Sequence, residues 1–115
     1  MILYGISNCD TVRKARKFLE ANNVKFTFHD FRKDGFELTT FNEWLQLQPL
    51  DVLINKRSTS WKQLSDEQKQ GLISGSDLAP LAEMPTLIKR PILSDGDKLL
   101  VGFKLADYQS HIGAL

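Results

Sequence analysis

The chain has 115 residues, of which 42% are hydrophobic and 25% are charged, a composition typical of one globular domain rather than a disordered segment. Its 15 basic and 14 acidic residues leave a formal net charge of +1, which gives no global field to attract nucleic acid or an anionic membrane. No run reaches the ~18 apolar residues of a membrane span, and the first ten residues lack the basic segment that opens a signal peptide.

The chain contains a single cysteine, Cys9. One thiol cannot form an internal disulfide, and one Cys with two distant His residues makes no zinc site, so we expect no bound metal. This cysteine usage favours a cytoplasmic protein, and we expect a monomer that binds neither nucleic acid nor a membrane. Whether Cys9 is a small buried hydrophobic side chain or a nucleophile decides between function classes.

The first thirty residues predict the order strand, helix, strand. Residues 1–5 are apolar and aromatic and end at a glycine, which is typical of a buried strand. From Thr11 to about Ala21, apolar residues recur every three or four positions, which predicts an amphipathic helix. Alternation from Val24 to Asp30 predicts a second strand, and a helical connection of this length normally makes the two strands parallel.

The middle of the chain, from about 38 to 84, is predicted to be helical. Thr39 and Thr40 are candidate caps of its first helix, and Ser65–Gln68 has the pattern of a capped helix start. The sequence contains no internal repeat and no interdomain linker. We therefore predict one domain over residues 1–115, with the helical segment inserted into it; a small helical subdomain is the alternative.

The end of the chain predicts a hairpin followed by a helix. Residues 90–93 form a short extended run, because the residue before a proline is biased away from helix. A turn at Ser94–Asp97 connects this run to a strand at Lys98–Val101, and a last helix covers about Lys104 to Ile112. The order βαβ, helices, ββα is that of an α/β thioredoxin-like fold with an inserted helical segment, an order that several small α/β folds share.

Cys9 lies between the first predicted strand and the first predicted helix. A thiolate there faces the unpaired N–H groups of the first helical turn and the positive end of the helix dipole, and Arg13 adds a positive charge one turn on. The polar neighbours Ser7, Asn8 and Asp10 argue against a buried, inert cysteine. Because the sequence continues Asp-Thr-Val without a second cysteine, a thiol of another molecule must resolve any product of Cys9.

Two further segments contain candidate binding residues. Arg90 and Pro91 open the third predicted strand, where a proline alone is often only an edge feature. The polar run 55–61 includes Lys56 and Arg57. It is either a solvated loop or a clamp for a carboxylate or oxyanion, for which the planar guanidinium of arginine is better suited than an ammonium.

Four segments carry a pattern that runs the length of the chain. They are Tyr4–Ala15 with its Cys-x-x-x-Arg turn, Asn55–Trp61, Ile88–Ile92 and Val101–Phe103. Together they resemble the arsenate reductase/Spx family, and in particular its small YffB-like branch. The resemblance implies a thioredoxin-like fold with inserted helices and a cis peptide bond between Arg90 and Pro91.

The resemblance also implies a chemistry. In the family's glutaredoxin-coupled arsenate reductases, the thiolate matching Cys9 attacks arsenate, and glutathione releases arsenite through a mixed disulfide. Arginines hold the oxyanion: one matches Arg90, and another falls at Lys56 or Arg57. This chain departs from that pattern in two places. Gly5 stands where those enzymes carry a histidine, and no arginine follows Arg90 where they have a third.

The function implied is a glutathione-dependent thiol oxidoreductase that uses Cys9 through a mixed disulfide, with Arg13 stabilising the thiolate. Glutathione is the expected co-substrate, glutaredoxin an expected partner, and no cofactor is expected to be bound. Two alternatives stay open: a glutaredoxin-coupled arsenate reductase, and a non-enzymatic Spx-like regulator that binds RNA polymerase. Val12 stands where the Cys-x-x-Cys switch of Spx has its second cysteine. The expected substrate-binding residues are Lys56, Arg57, Arg90 and Pro91.

Overall fold

The computed structural model describes all 115 residues and contains four strands and seven α-helices. None of the helices is long and apolar enough to cross a membrane. In chain order the elements are β1 (Ile2–Gly5), α1 (Asp10–Ala21), β2 (Thr27–Asp30), α2 (Leu38–Trp44), α3 (Leu50–Leu53), α4 (Thr59–Lys62), α5 (Asp66–Ser74), α6 (Ala79–Glu83), a 3-10 turn (Pro85–Leu87), β3 (Ile92–Asp95), β4 (Lys98–Val101) and α7 (Leu105–Gly113).

These elements group into two compact units. The first comprises Met1–Asp34 and Arg90–Leu115 and contains the sheet with α1 and α7, and the second comprises Gly35–Lys89 and contains α2 to α6. The predicted order βαβ, helices, ββα is confirmed. The single-domain organisation and the insertion boundaries at about 38 and 84 stay predictions.

The four strands form one sheet in the order β2-β1-β3-β4. β1 runs parallel to β2, as the helical connection between them predicts, and both other pairings are antiparallel. Gly5 pairs with Asp30, Tyr4 with Ile92, and Ile92 with Val101. The chain leaves β1, β2 and β4 and enters β3 at this end of the sheet, which we call the Cys9 end because the segment after Gly5 leads to Cys9.

α1 packs on the sheet through the apolar stripe that its three- and four-residue spacing predicts. Val12, Ala15 and Leu19 are fully buried, and Leu3 and Leu93 join the same core cluster from the sheet. Arg13, Lys14 and Lys17 are exposed, whereas Arg16 is partly buried, with its guanidinium carbon 4.2 Å from the Phe28 ring centroid. The burial of this one face fixes the position at which α1 begins, and therefore the position of Cys9.

Tyr108 of α7 fills the other part of this core. Its ring centroid lies 4.8 Å from that of Phe103 and 6.1 Å from that of Phe18, and the side chain is fully buried. Its hydroxyl has no hydrogen-bond partner in the protein, and burial raises the pKa of the phenol. The hydroxyl group therefore opposes folding while the ring favours it.

The substitution Tyr108→Phe is accordingly expected to stabilise the chain by about 1 kcal/mol, because a buried hydroxyl without a partner costs about 1–3 kcal/mol. Urea unfolding at neutral pH measures the change. Tyr4→Phe is the matched control, since Tyr4 is only half-buried, and it should shift the midpoint much less. A loss of stability in Tyr108→Phe would show that the hydroxyl has a favourable partner.

Two predicted helix caps have different outcomes. Thr39 and Thr40 do not cap α2: its N-cap is Glu37, and both threonines lie inside the helix, so that prediction was wrong. Phe41 and Trp44 of α2 are buried and pack with Phe36, with ring centroids 5.3 to 6.4 Å apart. This aromatic packing decides where the helix starts and overrides local cap chemistry. The cap at Ser65 is confirmed as a full capping box. The Ser65 hydroxyl accepts from the backbone amide of Gln68 at 3.1 Å, and the Gln68 side-chain oxygen accepts from the backbone amide of Ser65 at 3.0 Å.

The hairpin is tighter than predicted. β3 runs through Asp95, so the turn is only Gly96–Asp97 rather than the four residues from Ser94. Gly96 has φ of 59°, as the first central residue of a two-residue hairpin turn often requires. Asp95 at the strand end lies 2.8 Å from the His111 ring nitrogen, which ties α7 to the hairpin.

Candidate active site

Cys9 is the N-cap residue of α1. Its backbone is extended (φ −89°, ψ 126°), its carbonyl accepts from the Arg13 amide at 2.9 Å, and its amide donates to the Ile6 carbonyl at 3.1 Å. The side chain is partly exposed. The first-turn N–H groups of the helix have no intrahelical acceptors and carry the positive end of the dipole. Cys9 therefore lies at an accessible helix start, a position typical of reactive cysteines.

Arg13 does not stand free beside the sulfur. Its guanidinium forms an ion pair with Asp10, one turn earlier on the surface of α1, and the two side chains are 54% and 83% exposed. The sequence predicts Arg13 as a thiolate-stabilising residue, and the structure adds that Asp10 competes for its charge. Because an exposed pair of this kind contributes only about 0–1 kcal/mol, an incoming anion can displace Asp10 at little cost.

Asp30 is a buried carboxylate at the Cys9 end of the sheet that was not predicted from the sequence. It ends β2, directly opposite Gly5, and is only 4% exposed. Burial alone raises the pKa of its carboxyl, but hydrogen bonds from the backbone amides of Arg32, Lys33 and Ser7 outweigh this and hold the pKa below its ordinary value. The carboxylate is therefore charged at neutral pH, at the end of the sheet where the chain turns toward Cys9.

The Arg90–Pro91 segment reaches the same end of the sheet. The peptide bond between the two residues is cis, so that prediction is confirmed. The Pro91 carbonyl accepts from the Gly102 amide at 2.8 Å, and Gly102 has φ of 76°, a conformation that favours glycine. Since β3 is antiparallel to β1, Pro91 precedes β3 at the Cys9 end.

In the second unit, the predicted clamp segment is held by backbone pairing. Ile54 and Ile88 form an isolated antiparallel bridge, in which the Asn55 amide donates to the Leu87 carbonyl at 2.7 Å and the Lys89 amide to Leu53 at 2.8 Å. The bridge places the start of the loop beside Lys89.

Side chains then shape the clamp loop. The Asn55 side chain accepts from the Arg57 amide at 3.1 Å, and the Ser58 hydroxyl caps α4 by accepting from the Trp61 amide at 3.1 Å. These contacts give the loop a defined conformation, which the interpretation as a merely solvated loop does not require. Pre-set backbone geometry lowers the ordering cost of binding.

The loop borders a groove of about 460 Å³ in the second unit. Three cationic side chains line it, with one carboxylate, Asp51, at its border. The structure therefore brings the two predicted residues, Lys56 and Arg57, together in one groove. It adds Lys89, which lies beside the loop because Ile54 pairs with Ile88. The lining residues are Asp51, Ile54, Asn55, Lys56, Arg57 and Lys89.

The predicted site residues divide between the two units. Cys9, Arg13, Arg90 and Pro91 belong to the first, while the clamp loop with Lys56 and Arg57 belongs to the second. Within the first unit, the topology of the sheet gathers Cys9 and Pro91 at one end.

Gly5 provides a local reason for one departure from the arsenate reductase pattern. A Cβ atom at position 5 would lie 2.7 Å from one methyl group of Val12, closer than carbon atoms pack. Val12 is fully buried, and its branched side chain is nearly fixed in a helix. A histidine at position 5 therefore has no room while α1 is packed as it is.

The chain is similar to several known proteins. Residues 4–111 match the model of the ArsC family. An uncharacterized protein of Haemophilus influenzae is 45% identical over 94% of this chain and 95% of its own length. The global transcriptional regulator Spx of Lactiplantibacillus plantarum is 28% identical over 90% of this chain and 79% of its own.

A solved structure, the YFFB protein, superposes with a TM-score of 0.88 and 33% identity, covering 95% of this chain and 96% of that one. The architecture is thus the thioredoxin-like α/β fold that the sequence predicts. The proteins similar to this chain therefore include a transcriptional regulator as well as a solved structure with the same fold. With a family match over almost its whole length, the chain belongs to the ArsC family.

Proposed function

We propose that this protein is a glutathione-dependent thiol oxidoreductase with Cys9 as its nucleophile. The observation that carries the proposal is the placement of Cys9 as the partly exposed N-cap of α1. Backbone N–H groups at a helix start stabilise a thiolate over a thiol. The membership of the ArsC family adds support, because the resemblance described above implies a reductase that acts through the cysteine matching Cys9. Such a reaction suits the reducing cytoplasm, where reduced glutathione is maintained.

The proposed reaction has two exchange steps. The Cys9 thiolate attacks the glutathione sulfur of a mixed disulfide, forms a Cys9–glutathione disulfide, and releases the other thiol as its thiolate. A second glutathione thiolate then attacks the glutathione sulfur, forms oxidised glutathione and restores the Cys9 thiolate. The mixed disulfide and one glutathione thiol together give the free substrate thiol and oxidised glutathione; the sulfur reduced in the substrate is balanced by the glutathione sulfur that is oxidised, so no bound cofactor is needed. Glutaredoxin can replace glutathione in the second step.

In this proposal the cationic residues hold the carboxylates of glutathione. In the first unit Arg90 is a proposed donor, and in the second unit the groove with Lys56, Arg57 and Lys89 is a proposed carboxylate-binding surface of its own. Glutathione offers two carboxylates, and charge-assisted hydrogen bonds to carboxylates are the strongest that side chains make. Pro91, which follows the cis peptide bond, forms the wall along which glutathione lies.

Exposure of the folded protein to oxidised glutathione tests the nucleophile. We expect one adduct per chain, mapped to Cys9 by peptide mass spectrometry and removed by reduced glutathione. The Cys9→Ser variant should give no adduct. A wild-type chain that remains unmodified would contradict the proposal.

The carboxylate-binding role predicts a loss of affinity that does not depend on Cys9 chemistry. Arg57→Ala and Lys89→Ala should each weaken binding of S-methylglutathione about tenfold, because hydrogen bonds to charged groups contribute about 1.5–3 kcal/mol. Calorimetric titration measures this, since the methylated thiol cannot form a disulfide. Lys62→Ala, on α4 and outside the groove lining, is the control. Equal affinities in all three variants would show that the groove does not bind the carboxylates of glutathione.

Arsenate reduction is the less supported alternative. Arsenate is a compact, multiply charged oxyanion and needs several converging donors. The chain has no arginine after Arg90, and Gly5 cannot be replaced by the histidine of the reductases without displacing Val12. Loss of one oxyanion donor costs about 2.7–4 kcal/mol of transition-state stabilisation, so we expect arsenate turnover to be weak or absent when glutathione and glutaredoxin are supplied.

A non-enzymatic regulator is the alternative that the Spx relative favours. The switch of Spx needs a second cysteine at the position of Val12, and here that position is fully buried against Gly5. A regulator that binds RNA polymerase through its surface would keep that binding in Cys9→Ser, whereas the proposed enzyme would lose its activity in the same variant. The one substitution therefore separates the two classes.

A further inference from the structure

Asp30 is the one charged residue among the buried side chains, and the proposed reaction does not use it. Its carboxylate joins two segments at the Cys9 end of the sheet. One oxygen accepts from the Ser7 amide at 3.2 Å, and the other accepts from the Arg32 amide at 2.8 Å and the Lys33 amide at 3.3 Å. A buried carboxylate is costly unless it is fully hydrogen-bonded, and backbone amides provide these bonds here.

The contact with Ser7 leads to the nucleophile through a single peptide unit. The Ser7 N–H and the Ile6 carbonyl belong to the same planar peptide group. The Asp30 carboxylate accepts from the Ser7 N–H of this peptide, and the Ile6 carbonyl of the same peptide accepts from the Cys9 amide at 3.1 Å. The peptide is thus held from both sides, and hydrogen bonds in such a chain polarise and strengthen one another.

We propose that Asp30 is a positioning residue for Cys9: through the Ile6–Ser7 peptide, its carboxylate fixes the segment that sets Cys9 at the start of α1. The inference rests on the proposed role of Cys9 as the nucleophile. The second segment that Asp30 holds, the turn with Arg32 and Lys33, provides the rigid support, since the Phe31 amide also donates to the Gly5 carbonyl at 2.9 Å.

The sign of the effect of Asp30 distinguishes position from charge. A negative charge near a thiolate disfavours it, so a carboxylate acting only through its charge would slow Cys9, and Asp30→Asn would accelerate alkylation. If Asp30 acts through the Ser7 amide, Asp30→Asn loosens the segment that holds Cys9 at the helix start, and alkylation slows.

The experiment measures alkylation of Cys9 by iodoacetamide, which does not depend on any glutathione activity. In Asp30→Asn we expect a rate about tenfold lower at neutral pH, since misplacement by ~1 Å can cost up to ~100-fold. Asp30→Glu, which keeps a carboxylate as acceptor for the Ser7 amide, should recover part of the lost rate. An unchanged or faster rate at neutral pH would overturn the proposal.

Asp34→Asn is the matched control. The Asp34 carboxylate lies in the same turn and accepts from the Asp30 amide at 2.9 Å, but it has no contact with Ser7. This variant removes the same charge and should leave the alkylation rate within about twofold of wild type. A slowing equal to that of Asp30→Asn would assign the effect to general loosening of the turn and would overturn the specific role of Asp30.

Native-state hydrogen exchange of the wild type decides the matter even if Asp30→Asn fails to fold. The Ser7 and Cys9 amides should both be protected and should share one opening free energy, because the same peptide links them to Asp30. Exchange of Ser7 at the rate of an unstructured amide, or clearly unequal opening free energies, would contradict the proposal. Failure of glutathione to modify Cys9 would leave these measurements valid, so the two proposals fail separately.

Discussion

Cys9→Ser is expected to abolish reduction of glutathione mixed disulfides, with a loss of about 10³-fold or more, as removal of a nucleophile does in other enzymes. A serine hydroxyl is not ionised at neutral pH and cannot form the disulfide of the first step. The substitution changes one atom at a partly exposed position, so the folded structure should persist.

The assay follows release of the leaving thiol with reduced glutathione in excess. Asn8→Ala is the matched control, because Asn8 is the exposed neighbour of Cys9, and its activity should stay within a few-fold of wild type. Thermal unfolding confirms that each variant is folded. Substantial turnover by Cys9→Ser would show that the chemistry does not pass through this residue.

Gly5→Ala is expected to have one of the larger effects on stability, a loss of about 1–3 kcal/mol in the free energy of unfolding. The added methyl group would meet the side chain of Val12 at 2.7 Å. Val12 cannot rotate away, because a valine in a helix is held in one rotamer and this one is fully buried. Gly5→His, which would introduce the reductase residue, should cost more.

A double-mutant cycle identifies the cause. Val12→Ala alone also destabilises, by lost burial and a small cavity. If the clash explains the cost at position 5, the double variant Gly5→Ala/Val12→Ala should be more stable than the two single losses predict, with a coupling of at least about 1 kcal/mol. Additive losses in urea unfolding would show that Gly5 is required for another reason.

Local sequence patterns predict the elements that depend on local chemistry. The capping box at Ser65 is a matter of residues three positions apart, and the stripe through Ala15 and Leu19 is a matter of helical period, so both could be predicted. The pair of Asp10 with Arg13 could also have been predicted, because residues three apart on a helix are neighbours. Thr39 misled the prediction because aromatic packing, and not the cap, places the start of α2.

The parts of the site that escaped prediction depend on contacts between distant segments. Asp30 has its role because the parallel register places it opposite Gly5 and within reach of the Ser7 amide, 23 residues away. Lys89 reaches the groove because Ile54 pairs with Ile88. No local pattern encodes such pairings, and an aspartate that ends an alternating segment is indistinguishable in sequence from an exposed one.

The central claim is that the fold makes Cys9 a nucleophile toward glutathione disulfides, and one measurement tests it most directly. The rate at which oxidised glutathione modifies Cys9 is compared between the native chain and the same chain unfolded in urea, both at neutral pH. Stabilisation of the thiolate by the helix start and recognition of glutathione predict a native rate about tenfold or more above the unfolded one. A native rate equal to or below the unfolded rate would mark Cys9 as a structural cysteine and contradict the account.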